Sequence, residues 1–124
     1  MCGIVGYIGN KACQEIILES LQRLEYRGYD SSGIATLNND RLQLRRSVGK
    51  LSELKAKILE EPVSGKIGIG HIRWATHGGV TEQNAHPHSV NGEIAIVHNG
   101  IIENYASLKN CLLYTSDAAD DDHC

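Results

Sequence analysis

From Ile67 to Trp74 the side chains alternate in character. Ile67, Ile69, His71 and Arg73 fall on one side; Gly68, Gly70, Ile72 and Trp74 fall on the other. A period of two is the signature of a β-strand, whose successive side chains point to opposite faces. Other segments supply partners for it. Met1–Gly9 reads as a strand, with Ile4, Val5 and Ile8 punctuated by Gly3, Gly6 and Gly9. Ile34–Leu37 and Leu42–Val48 flank Asn38-Asn39-Asp40, which predicts a hairpin. Glu93–His98 reads as a further strand, and Asn99-Gly100 turns out of it. Helical spacing puts Ile17, Leu21 and Leu24 on one face of a helix over Ala12–Leu24, with Asn10 as its N-cap. Gly28 stops the chain after it. Leu51, Leu54, Ile58 and Leu59 mark a second helix that Pro62 ends, and a third starts near Glu103 with Tyr105 and Leu108 apolar. The order strand, helix, hairpin, helix, strand, loop, strand, helix predicts a layered α+β domain.

The chain has 124 residues, the size of one domain or a piece of one. With no Phe and 5% aromatics, its core must be aliphatic. A net charge of −3 and no polybasic run argue against nucleic acid and against a membrane surface. No apolar run approaches the ~18 residues of a membrane span, and no secretory leader is evident. A cytoplasmic location is expected. Cys2, Cys13, Cys111 and Cys124 lie far apart without a CxxC pair, and so read as free thiols or one reactive thiol. Residues 111–124 stand out from 1–110. They hold Asp117, Asp120, Asp121 and Asp122, and without them the net charge is +1. That tail shows neither helical nor strand period and reads as a disordered or foreign acidic end.

Four groups of residues carry chemistry. Cys2 follows Met1 directly, and a small second residue permits removal of the initiator methionine. Cys2 would then hold an α-amine beside its own thiol. A free peptide α-amine titrates at roughly 7.7–8.0 and a thiol at about 8.5, so proton transfer between them is nearly thermoneutral. Self-activation of this kind makes a competent nucleophile; the alternative is a small core hydrophobe. Arg73, at a strand end before Trp74, Thr76 and His77, can hold a carboxylate bidentately, with Gly78-Gly79 as a hinge. The alternative is a surface arginine. Asn99 and the Gly100 N–H are the right pair of donors for an oxyanion hole, although Asn-Gly is also a common turn. His86 and His88 flank Pro87, with His71, His77 and His98 elsewhere. Their spacing fits no zinc pattern, and two rings around a proline are expected to diverge, so they read as structural or substrate-shaping. The Tyr26–Ser31 loop is either a wall of the Cys2 pocket or a plain helix exit.

Five blocks taken together are more specific than any one. Met1–Gly6, Leu24–Ser31, His71–Gly78, Asn84–His88 and Val97–Asn104, in that order, resemble the glutaminase domain of the class II, N-terminal-nucleophile amidotransferases. The Glu25–Asp30 and Arg73–Gly78 blocks point away from the purine-pathway branch and toward the amino-sugar branch. The resemblance implies a four-layer αββα N-terminal-nucleophile hydrolase fold, here incomplete. It implies that Cys2 attacks the side-chain amide of glutamine while its α-amine acts as base and then as acid. Asn99 and Gly100 would stabilise the oxyanion, and Arg73 would pair with the substrate α-carboxylate. Thr76 and His77 would bind alongside, His86 would shape the pocket, Arg27 would lie near the nucleophile, and Trp74 would gate ammonia. No metal or organic cofactor is implied. The implied partner is a sugar-phosphate isomerase domain that turns fructose 6-phosphate and ammonia into glucosamine 6-phosphate, in an enzyme expected to be a homo-oligomer. The alternatives are another class II amidotransferase or an inactive glutamine-binding fragment. The acidic block that supplies an aspartate for the substrate α-amine has no counterpart, and the flanks of Asp117 do not match it. The chain is therefore expected to cover only the first part of the glutaminase domain, ending near residue 110.

Overall fold

The computed structural model describes residues 2–74 and 79–117, with the Arg27 side chain and those past Leu113 outside that description. The chain runs β1 (Gly3–Ile8), α1 (Cys13–Leu24), a 3-10 turn (Glu25–Arg27), β2 (Ser31–Asn38), β3 (Arg41–Val48) and α2 (Leu51–Glu60). It continues through β4 (Ile67–Arg73), β5 (His88–Val90), β6 (Ile94–Ile96) and α3 (Tyr105–Asp117). β1, β4, β2 and β3 lie side by side in that order, every neighbouring pair antiparallel. β5 and β6 form a separate antiparallel pair.

The β2–β3 hairpin turns through Asn39 and Asp40, both with positive φ (50° and 64°). That is the backbone a two-residue hairpin loop requires, and Asn and Asp tolerate it best among residues with a side chain. β2 extends past the sequence expectation to Ser31, where it pairs with Arg73 of β4, and β3 begins one residue early at Arg41, paired with Asn38 of β2.

One layer of helices covers one face of the four-stranded sheet. Cys13, Ile17, Leu18 and Leu21 of α1 and Leu51, Leu54 and Ile58 of α2 are buried with Ile34 of β2 and Ile72 of β4. Residue 70 must be glycine for this contact: a Cβ there would stand 2.5 Å from Ile17 Cγ2. The α1 cap differs from expectation. Ala12, not Asn10, occupies the cap position and makes no side-chain bond, and the Cys13 N–H instead donates to the Gly65 carbonyl at 2.9 Å. Leu59 also leaves the expected face, being 83% exposed. At 100° per residue it sits about 80° away from Leu51, whereas Ile58 nearly eclipses it.

The alternation along β4 now acquires direction. Gly70 and Ile72 face the helices, so His71 and Arg73 face the opposite side, as do Cys2 and Ile4 at the neighbouring edge. The chain from 79 to 102 returns over that side. A Cβ on Gly33 would lie 2.0 Å from the His86 carbonyl oxygen, so β2 admits this segment only because residue 33 has no side chain.

Two further expectations are corrected. α3 runs to Asp117, into the stretch from Cys111 expected to lack regular structure. Ala106, Leu108, Leu112 and Leu113 favour helix locally, although most of the described α3 side chains are exposed. Residues 118–124 lie outside the description. Cys2 and Cys13 are free thiols, but Cys111, in that same extended helix, is disulfide-bonded. No helix among the described residues is long and apolar enough to cross a membrane.

Candidate active site

Cys2 stands just before β1, beside the end of β4. The Trp74 N–H donates to Cys2 Sγ at 3.3 Å, and Sγ lies 3.6 Å from the Trp74 carbonyl oxygen. The antiparallel register, Gly3↔Ile72, sets this neighbourhood: one step outward on each strand brings residues 2 and 73 together.

A cavity of about 290 Å³ opens at this point. Cys2, Arg73, Trp74, His86, His98 and Gly100 are among the residues lining it, with Ile101, Ile102 and Tyr105 as an apolar wall. Sequence positions far apart thus converge on one volume. Arg73 is not a surface arginine. It is 7% exposed, and its Nη1–H donates to the Gly79 carbonyl at 3.0 Å. The Asn84 side-chain amide donates to the same carbonyl at 3.1 Å.

The histidines gather rather than diverge. His71 and His86 stack with ring centroids 4.3 Å apart, and His86 meets His88 at the same centroid distance with rings tilted by 51°. The expectation that the rings around Pro87 point apart is wrong, because His86 packs into the space between His71 and His88. Burial first, then the neighbouring imidazoles and Arg73, push His86 down from 6.5 to about 4. Burial likewise lowers His71, against the opposing bond from Asn99, and lowers His88 with help from Arg46 and Arg73. Three neutral rings therefore line or back the cavity near neutral pH. No group of three or more His, Cys, Asp or Glu suited to a metal ion occurs among the described residues.

Asn99 is not at a strand end, because β6 stops at Ile96. Its Oδ1 lies 2.6 Å from Nε2 of His71, a completely buried side chain. Sequence reasoning assigned His71 no part of its own. The available signal was its place on the same face of β4 as Arg73, two residues away. Thr76 and His77 lie outside the described residues, and so does the Arg27 side chain; the Arg27 backbone closes the 3-10 turn after α1. The Tyr26–Ser31 loop serves in part as the helix exit. Tyr26 is 81% exposed, while Tyr29 donates to Glu25 Oε1 at 2.9 Å and accepts the Leu51 N–H at the start of α2. Gly28, Tyr29 and Asp30 share a small hollow with Trp74.

No protein-family model matches the chain. It is 59% identical over 110 residues to glutamine–fructose-6-phosphate aminotransferase (isomerizing) of Rhizobium meliloti, covering 89% of this chain and 18% of that one. The Clostridium perfringens protein of the same name is 53% identical over 114 residues, covering 91% and 19%. The chain therefore spans under a fifth of the length of these relatives. Among solved structures, glutamine phosphoribosylpyrophosphate amidotransferase from B. subtilis matches 93% of this chain and 25% of its own, with TM-score 0.76 and 28% identity. A structure described as the allosteric regulatory enzyme of purine biosynthesis matches 92% of this chain and 25% of its own, with TM-score 0.70 and 30% identity. The chain is thus homologous to the N-terminal portion of the glutamine–fructose-6-phosphate aminotransferases, and it shares the N-terminal-nucleophile fold of its amidotransferase neighbours.

Proposed function

We propose that this chain is the glutamine-hydrolysing portion of a glutamine–fructose-6-phosphate aminotransferase, with Cys2 as its nucleophile. The carrying observation is the single cavity lined by Cys2, Arg73 and Gly100. With Met1 removed, the α-amine of Cys2 takes the thiol proton, and the thiolate attacks the side-chain amide carbon of glutamine. Negative charge collects on the former carbonyl oxygen, where the Asn99 amide and the Gly100 N–H donate to it. The α-ammonium then returns its proton to the departing nitrogen, because ammonia leaves poorly until protonated. The C–N bond breaks and a glutamyl thioester remains. Water, with the amine again as base, releases glutamate and the thiol.

Arg73 binds the substrate α-carboxylate. Its burial supports this role, since a guanidinium desolvated beside the cavity binds a carboxylate more strongly than one at the surface. His86, neutral near pH 7, forms a wall that adds no competing cation. Trp74, half exposed beside Cys2, gates the ammonia route. Thr76, His77 and Arg27 complete the glutamine site on the strength of their motif positions. On this reading residues 1–110 are the first part of a glutaminase domain and residues 111–124 a tail outside it. Ammonia passes to a sugar-phosphate isomerase domain in a cytoplasmic, homo-oligomeric enzyme, which forms glucosamine 6-phosphate from fructose 6-phosphate.

Intact mass, before and after exposure to an electrophilic glutamine analogue, tests the nucleophile. Protein lacking Met1 should gain one adduct at Cys2, Cys2→Ala should gain none, and glutamate release should follow the same pattern. Equal labelling of Cys2→Ala, or rapid labelling with Met1 still attached, would falsify the assignment.

A further inference from the structure

Asn99 lies on a stretch, residues 97–100, that belongs to no strand or helix. Two histidine contacts tie this stretch down. The His98 N–H donates to His86 Nδ1 at 3.4 Å, and Asn99 Oδ1 meets His71 Nε2 at 2.6 Å. His71 is itself fixed. It is fully buried, its strand is paired on both sides at Ile4 and Gly33, and its ring stacks on His86.

The two ends of an Asn amide have nearly the same shape, so hydrogen bonding decides which way the group points. Two arrangements satisfy the short contact. In one, Nε2–H of His71 donates to Oδ1 and Nδ1 keeps a bare lone pair. In the other, the amide is reversed, NH2 donates to Nε2, and the imidazole proton sits on Nδ1. Nδ1 is buried, and among the described residues it has no hydrogen-bond partner. The first arrangement leaves a bare Nδ1 lone pair unmet and the second an Nδ1–H, and buried orphan N–H groups are the rarer of the two. The structure turns Oδ1 rather than the NH2 toward Nε2, which is the first arrangement. Burial also keeps the ring neutral, so one nitrogen alone carries the proton.

We propose that His71 is a positioning residue: its Nε2–H holds the carbonyl end of the Asn99 amide, so that the NH2 end is the one left to donate to a substrate oxyanion. The final clause rests on the glutaminase reading; the tautomer and the amide orientation do not. The sheet thereby imposes a fixed direction on a donor carried by irregular chain, and preorganisation of this kind is what makes an oxyanion donor effective.

Imidazole ¹⁵N shifts, with His71 assigned by its substitution, test the tautomer in the protein as it stands. A protonated Nε2 and a bare Nδ1 near neutral pH are expected, and a protonated Nδ1 overturns the proposal whether or not glutamine is hydrolysed. Kinetics test the consequence. His71→Phe should lower kcat for glutamine hydrolysis about 100-fold, the scale of a lost oxyanion donor, with KM changed by less than about threefold. His71→Gln, whose terminal amide can donate in place of Nε2–H, should recover most of the loss. Unchanged kcat in a folded His71→Phe, or His71→Gln no better than His71→Phe at equal thermal stability, overturns it. If His71→Phe does not fold, the ¹⁵N shifts and His71→Gln decide. Absence of hydrolysis in processed wild type with the expected tautomer would sink the glutaminase reading alone.

Discussion

His86 shows how one side chain ties site to stability. Its ring sits between His71 and His88, and its Nδ1 accepts the His98 N–H, which requires that nitrogen to be unprotonated. In the unfolded chain a histidine titrates near 6.5, whereas here burial and its neighbours hold His86 at about 4. Between those values the unfolded state binds more protons, so stability falls as pH falls. The contribution is complete above about 6.5 and declines down to about 4. His71 and His88 shift the same way and add to the slope. Chemical denaturation from pH 7 to 4 should therefore show a steady loss of stability, and His86→Gln should flatten part of it. An equally steep curve for the variant would show that His86 does not contribute. The sequence singled out Cys2, Arg73, His86 and Gly100 through motif and resemblance, and the fold places all four around one cavity. The sequence did not foretell the stacked histidines or the His71–Asn99 pair, because residues 71 and 99 meet only through folding and no local period links them.

Among the elements, glycines on β2 and β4 divide the sheet into a packing side and a site side. Gly70 faces α1, where an added Cβ would press Ile17 at 2.5 Å and Leu21 at 3.2 Å. Gly33 faces the returning segment, where the obstacle is the His86 backbone carbonyl at 2.0 Å. The two substitutions should therefore fail differently. Gly70→Ala overpacks the helix–sheet layer and should cost about 1–3 kcal/mol of stability, with little change in KM for the folded fraction. Gly33→Ala must displace residues 85–87, and a displacement of about 1 Å in the site can cost about 100-fold in turnover. Parallel melts and kinetics on both variants check this, and the distinction fails if Gly33→Ala retains full turnover. The alternation along β4 and the Asn39-Asp40 turn were readable beforehand because both are local. Which face of β4 met α1 was not, since that depends on burial partners elsewhere in the chain. The cap of α1 was missed for the same reason: the first helical N–H, that of Cys13, finds its acceptor at Gly65, far along the sequence.

Over the whole molecule, apolar surface is unevenly distributed. The helix-covered side of the sheet is dry, while Ile8 (78% exposed), Ile94 (62%), Ile96 (57%), Leu112 (68%) and Leu113 (56%) stand open on β1, β6 and α3. α3 illustrates the problem. Ile102, Tyr105, Leu108, Leu112 and Leu113 line a shallow apolar hollow of about 430 Å³ with Lys109 as the one charged group among them. Scattered exposed leucines are ordinary on a protein surface, but a contiguous set along one helix face drives association. Pairing of such a face removes apolar area from water against the lost freedom of two molecules, so association should grow as concentration rises. Sedimentation velocity over a concentration series should show the average mass increasing. Leu112→Glu combined with Leu113→Lys should suppress that increase without shifting the thermal midpoint, because neither side chain enters the core. The same pair should leave Cys2 labelling unchanged, since neither residue lines the cavity beside Cys2. A wild-type chain that stays monomeric throughout the series would mean that this face is not adhesive.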